Sequence, residues 1–171
     1  VAPHLSIGTV TLDGGGTINL GGTPDTIDGN GALTNVDNTI TGAGTIAGRV
    51  LPSSNAMAFV NKSGGVVDAN SATGEMQIKG FGPVGGAFNN AFTNEGLIEA
   101  TASGTLRLFG AATLTQSATG RLVADGAGSR VIIDGDSSFG GQGATVVGGT
   151  VGGINGGVVH VQDGRLDGSL T

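Results

Sequence analysis

The sequence predicts an all-β chain wound as a parallel β-solenoid, with a right-handed β-helix of about seven coils as the expected form and no substantial helix. Three observations carry this expectation. A unit recurs along the chain: residues 65–80 read GVVDANSATGEMQIKG, residues 92–110 read FTNEGLIEATASGTLRLFG and residues 120–135 read GRLVADGAGSRVIIDG. Gly65, Gly96 and Gly120 open the three copies, Ala69, Ala100 and Ala124 come four residues later, and Gly80, Gly110 and Gly135 close them. Repeats with periods of roughly 20–50 residues mark solenoids, because one unit cannot bury its own apolar face and must stack on its neighbours. Apolar and polar residues alternate in short runs, and no helical period of about 3.6 appears. Gly- and Asn-rich corners interrupt the runs every few residues. A sandwich also has short strands and frequent turns, but the in-register self-similarity favours stacked coils. At roughly 24 residues per coil, 171 residues give about seven coils and a rise of about 34 Å at the usual strand spacing.

Taken in order, LSIGTVTL (5–12) alternates as a half-buried strand does. Gly14, Gly15 and Gly16 make a turn, TINL (17–20) is a second strand, and Pro24, Asp25, Asp28, Gly29, Asn30 and Gly31 mark a long turn region around Ile27. Short strands are expected at about 38–41 and 45–47. Residues 49–58, with Pro52 and Ser-Ser-Asn, read as a loop excursion from a single domain spanning 1–171. A second excursion is expected at 79–92, where Phe81, Pro83 and Phe88 sit among glycines. After the two clearest copies, strands are expected at about 144–147, 158–161 and 164–166.

Composition narrows the function. Glycine supplies 36 of the 171 residues, yet not at every third position, which excludes collagen. Leu, Ile, Val and Phe together number 44, above the roughly 20% at which chains fail to build a core. The net charge of −6, with no Lys or Arg in the first 48 residues, argues against nucleic acid, which requires clustered cations. No apolar run approaches the roughly 20 residues of a spanning helix, so the chain is not expected to be membrane-embedded. Without cysteine there are no disulfides or thiolate metal sites. The chain opens at Val1 without a Met, which reads as a processed mature form or an excised fragment.

Few residues invite chemistry. His4 and His160 lie near opposite ends of the sequence, no GxSxG elbow accompanies them, and no catalytic residue, enzyme activity or cofactor is expected. Asp134 and Asp136 are the tightest acidic pair, with Asp25 and Asp28 next. Beside glycine such residues cap turns, so Asp134 and Asp136 are only weak calcium candidates. Phe59, Phe92 and Phe139 precede Gly/Asn corners and are expected to stack internally, whereas Phe81 and Phe88 form a possible contact patch. The absence of Trp and Tyr weakens any sugar-binding reading. Thr9/Thr11, Thr39/Thr41 and Thr113/Thr115 have the Thr-x-Thr spacing of ice-binding solenoids, but they are not expected to recur from coil to coil.

The segments TNVDNTITGAGTIAG (34–48), 92–110 and 120–135 resemble bacterial surface proteins of the autotransporter passenger and filamentous haemagglutinin-like kind. The resemblance covers about 60% of the chain and implies a secreted, cell-surface structural or adhesive role, with no catalytic residues to carry over. Neither terminal segment reads as a cap, and an uncapped solenoid presents unpaired strand edges. The expectation is therefore a head-to-tail homopolymer with a surface, adhesive or biofilm-type role. Its contacts would be made by Leu5, Ile7, Val10 and Leu12 at one end and by Val159, Val161, Leu166 and Leu170 at the other. Host or matrix polysaccharide or protein contacts stay open. The alternatives are a passenger fragment of a large adhesin and a carbohydrate-active β-helix lyase or hydrolase.

Overall fold

The computed structural model describes residues 4–48, 57–80, 90–136 and 142–168. Among these residues every regular element is a β-strand, and no helix is long and apolar enough to cross a membrane. The first strands are β1 (His4–Ile7), β2 (Val10–Leu12), β3 (Thr17–Gly29), β4 (Ala32–Asn35), β5 (Thr39–Gly48), β6 (Ala58–Asn61) and β7 (Val66–Ala69). Next come β8 (Glu75–Gly80), β9 (Asn90–Asn94), β10 (Leu97–Ala100), β11 (Thr105–Gly110), β12 (Ala112–Gln116), β13 (Arg121–Asp125) and β14 (Arg130–Ile133). The last are β15 (Gly135–Asp136), β16 (Gln142–Gly143), β17 (Thr145–Val147), β18 (Thr150–Ile154), β19 (Val158–Val161) and β20 (Arg165–Asp167).

Apart from the small antiparallel pair β15–β16, all pairing among the described residues is parallel and falls into three ladders. The first ladder runs β1, the second half of β3, the second half of β5, β8, β11, β14, β19. The second runs β2, β4, β6, β9, β12, β17, β20. The third takes the first halves of β3 and β5, then β7, β10, β13 and β18. The chain visits the ladders in rotation, and because β3 and β5 each bend across two of them, the first and third ladders merge into one eleven-stranded sheet. At the bend of β5, Gly42 has φ 103°, in a region that a side chain would strain.

The sequence repeat is the ladder register. Ala69, Ala100 and Ala124 are direct partners, as are Gly80 and Gly110, and the amide N–H groups of Leu97 and Arg121 donate to the carbonyls of Gly65 and Gly96. Inward residues therefore form continuous ranks. In the second ladder Leu33, Phe59, Phe92, Leu114 and Val146 stack in succession, all buried. The Phe59 and Phe92 rings meet edge to face with centroids 6.3 Å apart, the favoured geometry for an aromatic pair. Fully burying one such side chain stabilises by about 1.5–3 kcal/mol. Phe139 lies outside the described residues. Gly104 is required by close approach, since a Cβ there would run into the carbonyl of Ala69 on the strand beneath.

Three local expectations change. Residues 5–12 form two strands, because the chain turns at Gly8 and Thr9 and passes from the first ladder to the second. The expected turn region 21–31 contains the second half of β3, where residues 26–29 pair with both β1 and β5. A register shift between Gly21 and Thr26 absorbs Pro24, and the Asp25 carboxylate accepts the Gly21 N–H at 2.7 Å. The excursion boundaries also contract. Met57 is fully buried, Ala58 opens β6, Lys79 and Gly80 belong to β8, and residues 90–92 belong to β9. The remainder of both excursions lies outside the described residues. The connections from the first ladder to the second vary widely in length, while the corners leading into and out of the third ladder stay short.

Candidate functional site

The two ends of the ladders collect the predicted contact residues. At one end β1 and β2 close the first and second ladders, and at the other β19 and β20 close the same two. Leu5 and Val161 occupy the rank of Ile27, Ile46, Ile78, Leu108 and Ile133. Those interior residues are buried, yet Leu5 is 50% and Val161 43% exposed. Likewise Val10 and Leu166 terminate the Phe59–Phe92 rank, and Leu166 is 49% exposed. Ile7 is buried, and Leu12, Val10 and Val159 are half-buried. Leu170 lies outside the described residues. Of the large exposed apolar side chains among the described residues, only Val36 sits away from the ends; Ile154 and Val158 join the C-terminal group. An open cleft of about 270 Å³ lies beside Leu5, Ile18 and Ile27, and one of about 200 Å³ beside Val146, Val151 and Leu166. Among the described residues, these core positions have no further strand paired over them.

A buried amide ladder runs along the corner between the second and third ladders. Asn35, Asn61, Asn94 and Gln116 are all buried. The Asn35 Nδ2 donates to Asn61 Oδ1 at 2.9 Å, Asn61 Nδ2 to Asn94 Oδ1 at 3.0 Å, and Asn94 Nδ2 to Gln116 Oε1 at 3.0 Å. The Gln116 Nε2 passes the pattern to the Gly148 carbonyl at 3.1 Å. Asparagine is mostly a surface residue; here it fills the interior, where an amide can donate and accept at once. The sequence signal is the trio ALTN, AFVN and AFTN, each ending at the same rank.

The outward sides of the ladders differ in chemistry. In the first, Arg107 bridges Glu75 (Nε–Oε2 2.9 Å) and Asp134 across three strands. Asp134 thus accepts from a guanidinium and from the Gly135 N–H; the side chain of Asp136 lies outside the described residues, as do Phe81 and Phe88. Ion pairing with both carboxylates lifts the Arg107 pKa above its ordinary value although burial opposes this. His4 pairs with Asp28 at 2.8 Å on the same ladder, and His160 stands at its opposite end. In the third ladder Asp68 and Glu99 are direct partners. Burial raises both carboxyls; Glu99 is raised further by Asp68 and Asp125 and lowered by Arg121, while hydrogen bonds from Thr101 and Asn70 partly offset the rise at Asp68. A general acid and base need environments that push two pKa values apart, and here both move upward together. Among the described residues no group of three or more His, Asp or Glu is placed to hold a metal ion.

The second ladder is different again: among the described residues its outward ranks carry no charge before β20. Thr11, Thr34, Val60, Thr93, Thr115 and Val147 line up strand by strand. Thr11 and Thr115 therefore do recur in three dimensions, through Thr34 and Thr93, which the dipeptide spacing overlooks. By contrast Thr39 and Thr41 lie on the third ladder. Comparison with protein-family models, with curated proteins and with solved structures gives no match.

Proposed function

We propose that the three ladders are the faces of a right-handed parallel β-solenoid of about seven coils, and that the protein is an extracellular structural subunit that stacks end to end into a filament of surface or adhesive type. The observation that carries this reading is the state of the ends. Leu5 at one end and Val161 and Leu166 at the other are core-rank residues left half exposed, and such edges are templates for parallel strand addition. Ladders of six or seven strands agree with the coil count. Low charge and the absence of cysteine fit a secreted fibre held by hydrogen bonds. In the adhesin-fragment alternative, further coils of a longer chain cover the same ends. For the carbohydrate-active alternative, Asp68, Glu99 and Asp125 are the residues to hold responsible, in a chain that has no Trp or Tyr.

Negative-stain electron microscopy of the native protein tests the filament. Uniform thin filaments are expected, and Leu166→Lys, which sets a charge on the half-exposed end of the Phe59–Phe92 rank, should leave short rods that still unfold cooperatively, with at most a small drop in melting temperature. Rods from the native protein at high concentration would overturn the reading.

A second reading rests on the uncharged face. Hydroxyl- and methyl-bearing side chains repeat there at one strand spacing of roughly 4.8 Å, the kind of flat, regular array that ice-binding solenoids use. Inhibition of ice recrystallisation that is lost in Thr93→Lys would favour it; no inhibition by the native protein would dismiss it.

A further inference from the structure

End-to-end stacking requires a joint with a defined register, and the register inferred for that joint rests on the filament reading. In the first ladder Leu5 and Val161 hold the same rank; in the second, Val10 and Leu166 do. Leu5 and Val10 are five positions apart in the sequence, and so are Val161 and Leu166. The corresponding separations inside the molecule are longer: six from Ile27 to Leu33, six from Leu108 to Leu114, and 13 from Ile133 to Val146. The two terminal corners alone among these have a spacing of five, so a single displacement of 156 in residue number carries Leu5 onto Val161 and Val10 onto Leu166. Two strands can therefore be satisfied at once by one placement of a second copy. The parity also agrees, since all four side chains belong to inward ranks and, among the described residues, have no further strand paired over them.

We infer that β19 of one copy pairs in parallel with β1 of the next, Val161 beside Leu5, and that β20 pairs with β2, Leu166 beside Val10. The same register sets His160 beside His4 of the next copy on the outer surface, and Arg165 beside Thr9. A slip of one residue would turn the apolar ranks outward. A slip of two would keep the faces, with Val161 against Ile7 and Leu166 against Leu12, but would break the continuity of every rank across the joint.

The chain has no cysteine, so the joint can be trapped by cross-linking. Directly opposed residues on paired strands lie at Cα separations of roughly 4.8 Å, inside the disulfide range of about 4.4–6.8 Å. The variant His4→Cys/His160→Cys, oxidised gently and run without reductant, should give a ladder of covalent multimers. The slipped pair Ser6→Cys/His160→Cys should link at least roughly tenfold more slowly, since its Cα separation exceeds that range. Thr9→Cys/Arg165→Cys tests the β20–β2 half and leaves the His4–Asp28 pair intact, so it serves if the first variant folds poorly. Filaments that link faster through the slipped pair, or through neither matched pair, would overturn the register while end-to-end stacking stands. Absence of filaments in the native protein and in every variant would overturn both.

Discussion

Replacing Asn61 by Ala should lower stability by about 2–3 kcal/mol, a figure that comes from its hydrogen bonds. The side chain is fully buried. It accepts from Asn35 Nδ2 at 2.9 Å and donates to Asn94 Oδ1 at 3.0 Å, to the Gly65 carbonyl at 3.0 Å and to the Leu97 carbonyl at 3.2 Å. The Nδ2 group has two hydrogens to share among its three acceptors, so about three full bonds at a net of about 1 kcal/mol each give the upper figure. Three of the four partners keep a second bond: Asn35 Nδ2 to the Asn38 carbonyl, Asn94 Oδ1 from the Gly96 N–H, and Gly65 O from the Leu97 N–H. This spares them the full penalty of an unsatisfied buried group and sets the lower figure. Against a typical domain stability of about 5–15 kcal/mol, the loss is large. Urea denaturation monitored by circular dichroism is the suitable assay, because the chain has no Trp or Tyr. The exposed Asn30→Ala provides the comparison. Combining Asn61→Ala with Asn94→Ala should cost less than the sum of the two, since they share a bond. If Asn61→Ala costs under about 1 kcal/mol, no more than Asn30→Ala, the amide ladder does not contribute as argued.

Three further outcomes are expected. Gly104→Ala should destabilise by about 1–3 kcal/mol, because its Cβ meets the rigid backbone of Ala69; an unchanged denaturation midpoint would contradict that contact. Arg107→Ala leaves Glu75 and Asp134 without their shared cation, and should cost about 1–2 kcal/mol at low salt and less at about 1 M salt, as read from melting curves at the two ionic strengths. Glu99→Gln should stabilise by about 0.5 kcal/mol at neutral pH by removing a like-charge neighbour of Asp68. The raised carboxyl of Glu99 means that the folded state holds its proton to higher pH than the unfolded chain. Its contribution is therefore complete below the ordinary carboxylate range and falls as pH rises through the raised value, so the advantage of the variant should vanish as pH drops into that ordinary range. An advantage that grows on acidification would refute the assignment.

The parts of the architecture that repeat were legible in the sequence. Gly65, Gly96 and Gly120 recur because each lies where successive strands pass closely, and Ala69, Ala100 and Ala124 because they are partners in one rank. What a single repeat unit does not encode was harder to read. The alternation in residues 5–12 changes phase between Ile7 and Val10, the mark of a corner, yet both halves look like strand. Asn30 in an exposed bend and Asn61 in the core are the same residue type, and only the rank shared by Asn35, Asn61 and Asn94 distinguishes them. The threonines of the uncharged face escaped for a similar reason: Thr34 and Thr93 are adjacent to Thr11 and Thr115 across strands and not along the chain.

The uneven connections have a consequence of their own. The path from the first ladder to the second advances six positions from Ile27 to Leu33 but 14 from Ile78 to Phe92, and the ranks on either side keep their register. Length is thus decoupled from alignment along that one edge. A peptide spliced between β5 and β6, between β8 and β9, or before β17 would enter where the molecule already accepts variation. Several such inserts would fall in a row along the same side, offering a scaffold for multivalent display whose spacing is set by the strands beneath.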